Sequence, residues 1–354
     1  MRYNNLGNTG LIVSEICLGA MTFGPNEGRF AHVAGLGQEE ATALVRQAVE
    51  AGVNFIDTAN VYSNGQSEVA VGEALRALGI ARPDIVVATK GYARMGAGTT
   101  RAGNSRKHLL DEIDASLARL KMDHVDLYQV HGWDSHTPVE ETMSALDHIV
   151  SSGRARYVGV SNWAAWHVAR AQGIAAARGL ERIASIQSYY SLAGRDLERE
   201  IAPMMQAEGV GLMVWSPLAG GILSGKYARA GDGVAGEGRI AAGGVRATLD
   251  LDRTFRVIDA IRPIAERHGT AIASVALAWL LQRVFVSSVI VGAKRPDQLA
   301  ENLAASAIDL SVEEIAQLDA ASELPPEYPG WMFADQWKRR GGASPRRPAP
   351  LPAD

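Results

Sequence analysis

Val53-Asn54-Phe55-Ile56-Asp57-Thr58-Ala59-Asn60-Val61-Tyr62 is a short apolar run that stops on a carboxylate and then turns polar. A run of that length, bounded by polar turn residues, suits a strand buried on both faces. Two later runs end in the same way. Ile85-Val86-Val87-Ala88-Thr89 stops at Lys90, and Val125-Asp126-Leu127-Tyr128-Gln129-Val130 stops at His131. Working outward, strands are expected near residues 16–18, 55–56, 85–89, 125–130, 156–160, 185–187, 211–215 and 288–291. The stretches between them carry apolar residues at three-and-four spacing, the mark of amphipathic helices. Ala41, Leu44, Val45, Ala48 and Val49 form one such face. Leu109, Ile113, Leu117 and Leu120 form a second behind a Ser105 cap. Val139, Met143, Leu146, Ile149 and Val150 form a third, with Thr137-Pro138 as cap and first-turn proline. Eight strands alternating with helices imply parallel pairing through right-handed crossovers, and that count predicts a closed (β/α)8 TIM barrel over an open sheet. In such a barrel the C-terminal ends of the strands share one face, where the active site lies. Asp57, Tyr62, Lys90 and His131 are therefore expected to meet there.

Outside this rhythm, residues 2–13 hold Asn8-Thr9-Gly10 between two extended pieces. They read as an N-terminal β-hairpin, with Gly10 supplying the positive φ of the turn. Residues 231–244, dense in Gly and Ala, read as a long flexible loop after the seventh strand. Residues 341–354, dense in Pro, Gly and Ala, read as a disordered tail, which leaves residues 1–340 as a single barrel domain. The chain has 354 residues, is 47% hydrophobic and has a formal net charge of -4. That is ample for a large core and gives no reason to expect nucleic acid or an anionic membrane as partner. Cys17 is the only cysteine, so no intrachain disulfide forms, and a lone thiol fits a reducing compartment. The first residues lack the charged-then-apolar layout of a secretion signal, and the longest apolar stretch, near 271–281, is too short to span a bilayer. A cytoplasmic protein is expected; oligomeric state has no mark in the sequence.

The four strand-end residues suit the reduction of a carbonyl. When hydride reaches the carbonyl carbon, negative charge grows on oxygen, and a proton donor must meet it. A tyrosine hydroxyl can donate, although its ordinary pKa is about 10. A neighbouring lysine ammonium makes that proton easier to release, and a carboxylate can hold the ammonium charged in a dry pocket. A histidine N–H can steer the carbonyl oxygen. None of the four is set up as a nucleophile or a metal ligand, so the hydride has to come from a cofactor. Each residue alone also has a structural reading: Asp57 as a turn cap, Lys90 as a snorkelling strand end, Tyr62 as packing, and His131 as a satisfied core histidine.

The chain resembles the aldo-keto reductases from Arg2 to about Leu318. The resemblance lies in Leu6-Gly7-Asn8-Thr9-Gly10-Leu11-Ile12-Val13-Ser14, in Leu18-Gly19-Ala20-Met21-Thr22-Phe23-Gly24, and above all in Phe55-Ile56-Asp57-Thr58-Ala59-Asn60-Val61-Tyr62 followed by Ser67-Glu68. Gly159-Val160-Ser161-Asn162-Trp163 and Trp215-Ser216-Pro217-Leu218-Ala219-Gly220-Gly221 extend it. The branch it looks most like contains potassium-channel β-subunits and bacterial aldehyde or ketone reductases. The resemblance implies a reductase using a nicotinamide cofactor, with Tyr62 as general acid/base, Lys90 and Asp57 tuning it, and His131 orienting the substrate. A regulatory subunit that senses the nicotinamide with little turnover is the alternative.

No G-x-G-x-x-G follows the first strand, so the cofactor is expected across the barrel mouth and not on a Rossmann domain. Ser161, Asn162 and Gln187 have the donors and acceptors to pair with a carboxamide, and the resemblance gives them that role. It also places Gly19, Ala20 and Met21 along the cofactor, with Trp215, Ser216, Pro217, Leu218, Gly220 and Lys226 on the pyrophosphate side and Arg239 on a loop above. Val291-Gly292-Ala293-Lys294-Arg295-Pro296-Asp297-Gln298 closes the last strand, where such barrels hold phosphate. Lys294, aided by Arg295 and Gln298, is expected at the 2′-phosphate of NADPH, with Gly292 beside it and Glu301 and Asn302 at the adenine. Lys294 makes NADP(H) the expected cofactor, whereas some family members have Lys where Gly292 stands and Arg where Gln298 stands, and that departure leaves NAD(H) open. Phe23, Tyr92, Trp133 and Trp163 are expected to wall the substrate pocket, and Tyr328, Trp331, Met332 and Trp337 are further candidates. The partner is then a small carbonyl or secondary alcohol. Gly220-Gly221-Ile222-Leu223-Ser224-Gly225-Lys226-Tyr227 resembles a phosphate-binding loop but ends on Tyr227, without the hydroxyl that would hold magnesium. His131, Asp134 and His136 crowd one loop without the helix-face spacing of a zinc site, so no metal is expected.

Overall fold

In the computed structural model, which describes residues 1–230, 233–235 and 249–339, eight parallel strands close into a barrel. They are β1 (Ile16–Gly19), β2 (Phe55–Asp57), β3 (Val86–Gly91), β4 (Val125–Val130), β5 (Ala155–Ser161), β6 (Ile183–Tyr189), β7 (Gly211–Trp215) and β8 (Val286–Val291). Closure comes from β8, which pairs with β7 on one side and β1 on the other. Helices α1 (Gln38–Glu50), α2 (Gln66–Ala77), α3 (Arg106–Leu120), α4 (Val139–Ser151), α5 (Ala165–Arg178) and α6 (Leu197–Glu208) alternate with β1 to β7. α7 (Leu251–His268) and α8 (Ile272–Leu281) precede β8, and α9 (Pro296–Ala304) and α10 (Val312–Ala321) follow it. All eight expected strands are present, most of them longer by a residue or more than the sequence suggested.

Side chains alternate across each strand, so two cores form. Outward residues such as Ile16, Leu18, Ile56, Val87, Tyr128, Val160, Ile186, Leu212 and Val289 pack under the helices. Inward residues Cys17, Phe55, Val86, Ala88, Leu127 and Met213 fill the barrel, and Leu6 and Val13 of the hairpin close it from below. Further up the same inward faces the chemistry changes. Phe55 is followed two residues on by Asp57, Ala88 by Lys90, and Leu127 by Gln129, while Gln187 sits beside Met213 in register. The barrel is therefore apolar at its floor and polar towards its mouth.

The hairpin pairs Tyr3–Asn5 with Ile12–Ser14. Its left-handed residue is Gly7 (φ +59°) and not Gly10 as expected. The cause is close approach: a Cβ on Gly7 would lie 2.5 Å from the backbone nitrogen of Gly211. Ser105 caps α3 as expected, accepting from the His108 amide at 3.3 Å. Thr137 does not cap α4. Pro138 is the residue at the cap, and the Thr137 hydroxyl donates instead to Asp134 at 2.6 Å. The stretch expected as a loop after β7 begins as a small antiparallel ribbon, Ala228–Ala230 against Gly233–Ala235. Residues 231, 232 and 236–248, Arg239 among them, and the expected tail 341–354 lie outside the described residues.

Met1–Ser322 forms one unit and Glu323–Asp354 another. The described part of the second holds helix α11 (Gly330–Arg339), with the Trp331 ring 6.4 Å from that of Tyr328. No helix among the described residues is long and apolar enough to cross a membrane.

Candidate active site

Asp57 ends β2, Lys90 stands one residue before the end of β3, and His131 follows β4 directly. Parallel register sets Lys90 opposite Gln129 and Asp57 opposite Ala88, which turns the first two towards one another. The Lys90 ammonium is fully buried and donates to Asp57 Oδ2 at 2.5 Å, to the Thr58 carbonyl at 2.9 Å and to the Tyr62 hydroxyl at 3.3 Å. A lone buried ammonium would be costly, but one surrounded by a carboxylate and two further acceptors is compensated. The second Asp57 oxygen accepts from Gln129 Nε2 and Gln187 Nε2, both at 3.0 Å. The Tyr62 ring meets that of His131 edge-on, with centroids 5.7 Å apart. All four predicted residues thus converge.

The electrostatics follow from that packing. Burial works against the Lys90 ammonium, but Asp57 and Tyr62 outweigh it, and its pKa is raised. Burial pushes the Tyr62 phenol up; the Lys90 ammonium pulls it down without cancelling the rise. Burial, and then the cations of Lys90 and Arg29, hold His131 well below the usual imidazole range. At neutral pH the group is a protonated phenol, an ammonium and a neutral imidazole.

Tyr62 is presented by an unusual turn. Ser63 (φ 45°), Asn64 (φ 52°) and Gly65 (φ 91°) are left-handed in succession. Such backbone persists only where the surroundings fix it. Here Ser63 Oγ donates to the Phe23 carbonyl at 3.1 Å.

The expected cofactor residues that are described lie on or after the C-terminal ends of the strands. Ser161 Oγ donates to the Gln187 carbonyl at 3.0 Å. Asn162, left-handed (φ 59°) and exposed, donates to the His131 carbonyl at 3.3 Å and accepts from the Trp215 indole at 3.1 Å. The Gln187 amide nitrogen donates to Asp57 Oδ1 at 3.0 Å and to Gln129 Oε1 at 3.3 Å, so its donor side is spent within the site. Past β7, Ser216, Ala219, Gly220, Gly221 and Gly225 are all left-handed, and exposed Lys226 curls back with its Nζ 3.8 Å from where a Gly221 Cβ would stand. Pro217 is buried and Leu218 half-buried in the same loop. Gly19 and Ala20 are buried at the end of β1, and Met21 packs near Tyr62. Gly292 is exposed, and a Cβ there would stand in ordinary contact with the Gly19 carbonyl, 3.7 Å away. Lys294 is exposed, with Nζ on the Ala34 carbonyl at 3.1 Å and its amide donating to Gln298 at 3.0 Å. Arg295 is paired with Asp297 at 3.0 Å. On α9, Glu301 is exposed and Asn302 buried.

The aromatic wall differs in detail. Phe23 is fully buried in the outer core and Trp163 is 2% exposed, whereas Phe30 meets the Tyr62 ring edge-on at 5.4 Å. Met95 and Ala93 join Met21 and Phe30 around Tyr62. Tyr92 lies against Gly132, and Trp133 stacks on His167 at 3.6 Å with Trp163 edge-on. Gln129, Phe30, Met95 and Tyr189 were not singled out from sequence. Gln129 had a signal, its place two residues before His131 on an inward face. Tyr189 had the same signal two residues after Gln187, and its ring stands 5.3 Å from that of Trp215. Phe30 and Met95 lie in irregular loops, where spacing has no meaning. Asp134 is occupied as a loop cap, accepting from the amides of Asn104 and His136 and from Thr137.

Against known proteins, the profile of the Aldo/keto reductase family matches residues 15–323. A probable voltage-gated potassium channel subunit beta from Oryza sativa subsp. japonica is 37% identical over 92% of this chain and 98% of its own length. One from Arabidopsis thaliana is 38% identical over 86% of this chain and 91% of its own. The versiconal hemiacetal acetate reductase of Aspergillus parasiticus is 35% identical over 93% of this chain and 99% of its own.

Proposed function

This chain belongs to the aldo/keto reductase family, and from that premise we propose that it reduces an aldehyde or ketone to the alcohol, reversibly, with NADPH as reductant. The observation that supports this best is the buried Asp57–Lys90–Tyr62 chain beside His131. Tyr62 is protonated at neutral pH and, unlike the wholly buried Lys90, keeps some exposure, so it donates its proton to the carbonyl oxygen. Lys90 stabilises the phenolate left behind, and Asp57 keeps Lys90 charged and in place. Neutral His131 offers an N–H to the same oxygen and orients it. Phe30, Met21 and Met95 shield the reacting atoms from water.

A nicotinamide dinucleotide supplies the hydride when bound, and the residues at the mouth fit one. Gly292 is exposed and without a side chain where β8 ends beside β1, and exposed Lys226 and Lys294 follow β7 and β8. Ser161, Asn162 and the Gln187 oxygen take the carboxamide, and Lys226 the pyrophosphate. Lys294, next to the N-terminus of α9, takes the 2′-phosphate, which favours NADPH over NADH. A cytoplasmic site of action belongs to the same reading.

The test is NADPH consumption against a panel of small carbonyls. In Tyr62→Phe, kcat should fall about 10²- to 10⁴-fold while the NADPH dissociation constant stays within about twofold. A variant that reduces carbonyls at the wild-type rate removes Tyr62 as the acid. The names of the rice and Arabidopsis relatives favour a second reading, a channel-associated subunit that binds the nicotinamide with little turnover. Tight NADPH binding without carbonyl-dependent consumption selects it.

A further inference from the structure

Behind the candidate site lies a second group of charges that the proposed chemistry does not use. Glu68 on α2 and Glu112 on α3 are both buried, and Arg119 on α3, 22% exposed, reaches between them. Arg119 Nε donates to Glu68 Oε2 at 2.5 Å, and its Nη2 stands 3.9 Å from Glu112 Oε2. Each carboxylate also accepts from a side chain next to an active-site residue. The Thr89 hydroxyl, one residue before Lys90, donates to Glu68 Oε1 at 2.5 Å. Asn60 Nδ2, two residues before Tyr62, donates to Glu112 Oε2 at 2.8 Å. The two tied segments meet as well, through the Asn60 amide on the Lys90 carbonyl at 3.1 Å.

The same arginine touches the strained turn. A Cβ at Gly65 would lie 2.6 Å from Arg119 Cδ, so the arginine stem runs directly over the left-handed backbone that follows Tyr62. Two buried carboxylates side by side repel each other and are stable only with a cation between them. Arg119 is the cation in contact with both.

We infer that Arg119 is a positioning residue: through Glu68 and Glu112 it sets the segments bearing Lys90 and Tyr62 against each other at hydrogen-bond distance. The inference rests on the reading of Lys90 and Tyr62 as the proton-delivery pair. Without the guanidinium, the carboxylates separate, Thr89 and Asn60 shift, and the Lys90–Tyr62 contact lengthens. The phenolate then loses ammonium stabilisation, so Tyr62 ionises at higher pH.

The experiment compares Arg119→Met and Arg119→Lys with wild type, each also with Tyr62→Phe. Two readouts are taken: steady-state kinetics across pH, and the ultraviolet titration of Tyr62, obtained by subtracting the Tyr62→Phe partner. Arg119→Met should lower kcat about tenfold to a hundredfold, leave the KM for NADPH within about twofold, and move the Tyr62 titration upward. Arg119→Lys should recover part of both losses. An arginine that only stabilises the fold would lower the melting temperature without moving the titration, and that result overturns the inference. If Arg119→Met does not fold, Thr89→Val and Asn60→Ser each cut one branch and should move the titration the same way. Wild-type values in both also overturn the inference. Should wild type show no Tyr62-dependent turnover, the proposed function falls, and the titration still decides the role of Arg119.

Discussion

His131 and His108 are held neutral by burial first, with Lys90 and Arg29 adding to the effect at His131. Their folded pKa values lie below the ordinary 6.5, so in mildly acidic solution the unfolded chain binds more protons than the folded one. Stability is therefore present above that pH and is lost as the solution is acidified through it. Thermal melts from pH about 7 to about 5 should show a falling melting temperature, and in urea unfolding over the same range His131→Gln should lessen the fall of unfolding free energy by up to about 1.4 kcal/mol per pH unit. An equal slope in the variant would argue against His131 as the source. The proposed place of Lys294 at the 2′-phosphate gives a test of cofactor choice. Removing its exposed cation with Lys294→Ala should weaken NADPH about fivefold or more and leave NADH nearly unchanged, because only NADPH has a 2′-phosphate for it. Calorimetric titration of both cofactors reads the difference, and equal losses would detach Lys294 from the 2′-phosphate. Single residues also mark where the sequence was legible. Asp57, Lys90 and His131 end apolar runs, and strand direction alone brings such positions to one end of the barrel. Phe23 and Trp163 share that proximity, yet their side chains turn outward into the core, and nothing in their spacing announced it.

At the scale of elements, α3 combines a cap, a core face and two members of the buried charge group. Ser105→Ala removes the acceptor for the His108 amide, and loss of such a cap costs about 1 kcal/mol. Urea unfolding should show a lower midpoint with an unchanged slope; a changed slope would mean that the helix end had rearranged beyond the loss of one bond. The eight strands and the three periodic helix faces were legible because period and burial agree along them. Turn chemistry was less so. Asn8-Thr9-Gly10 suggested a turn at Gly10, but contact with Gly211 selects Gly7 for the left-handed position. Thr137 looked like a cap, but Asp134, three residues earlier, claims its hydroxyl. In both cases a partner distant in space or on the preceding loop overrode a local preference. The ties of Glu68 and Glu112 were hidden for the same reason, since each spans two elements.

The barrel within Met1–Ser322 has an apolar floor and turns polar towards its mouth. The hairpin seals the floor at the strand beginnings, where Gly7 meets Gly211 and Asn54 receives the Ser14 amide at 2.7 Å. Gly7→Ala forces a Cβ into backbone at positive φ and should cost about 1–3 kcal/mol. Because the change lies at the opposite end from Tyr62, kcat per folded molecule should be unaltered; a melting curve beside an active-site titration separates the two, and a loss of kcat would show that floor and mouth are coupled. The floor has a practical consequence too. Its one thiol, Cys17, is walled in among Phe55, Val86 and Met213, and burial raises its pKa well above the ordinary range, so little thiolate forms there. A cysteine introduced at the exposed rim, for example in place of Trp166, which is 60% exposed, would be the only one open to a maleimide dye. The chain is thus already a single-label scaffold, on which a fluorophore at the rim reports ligand entry without the native cysteine first being removed.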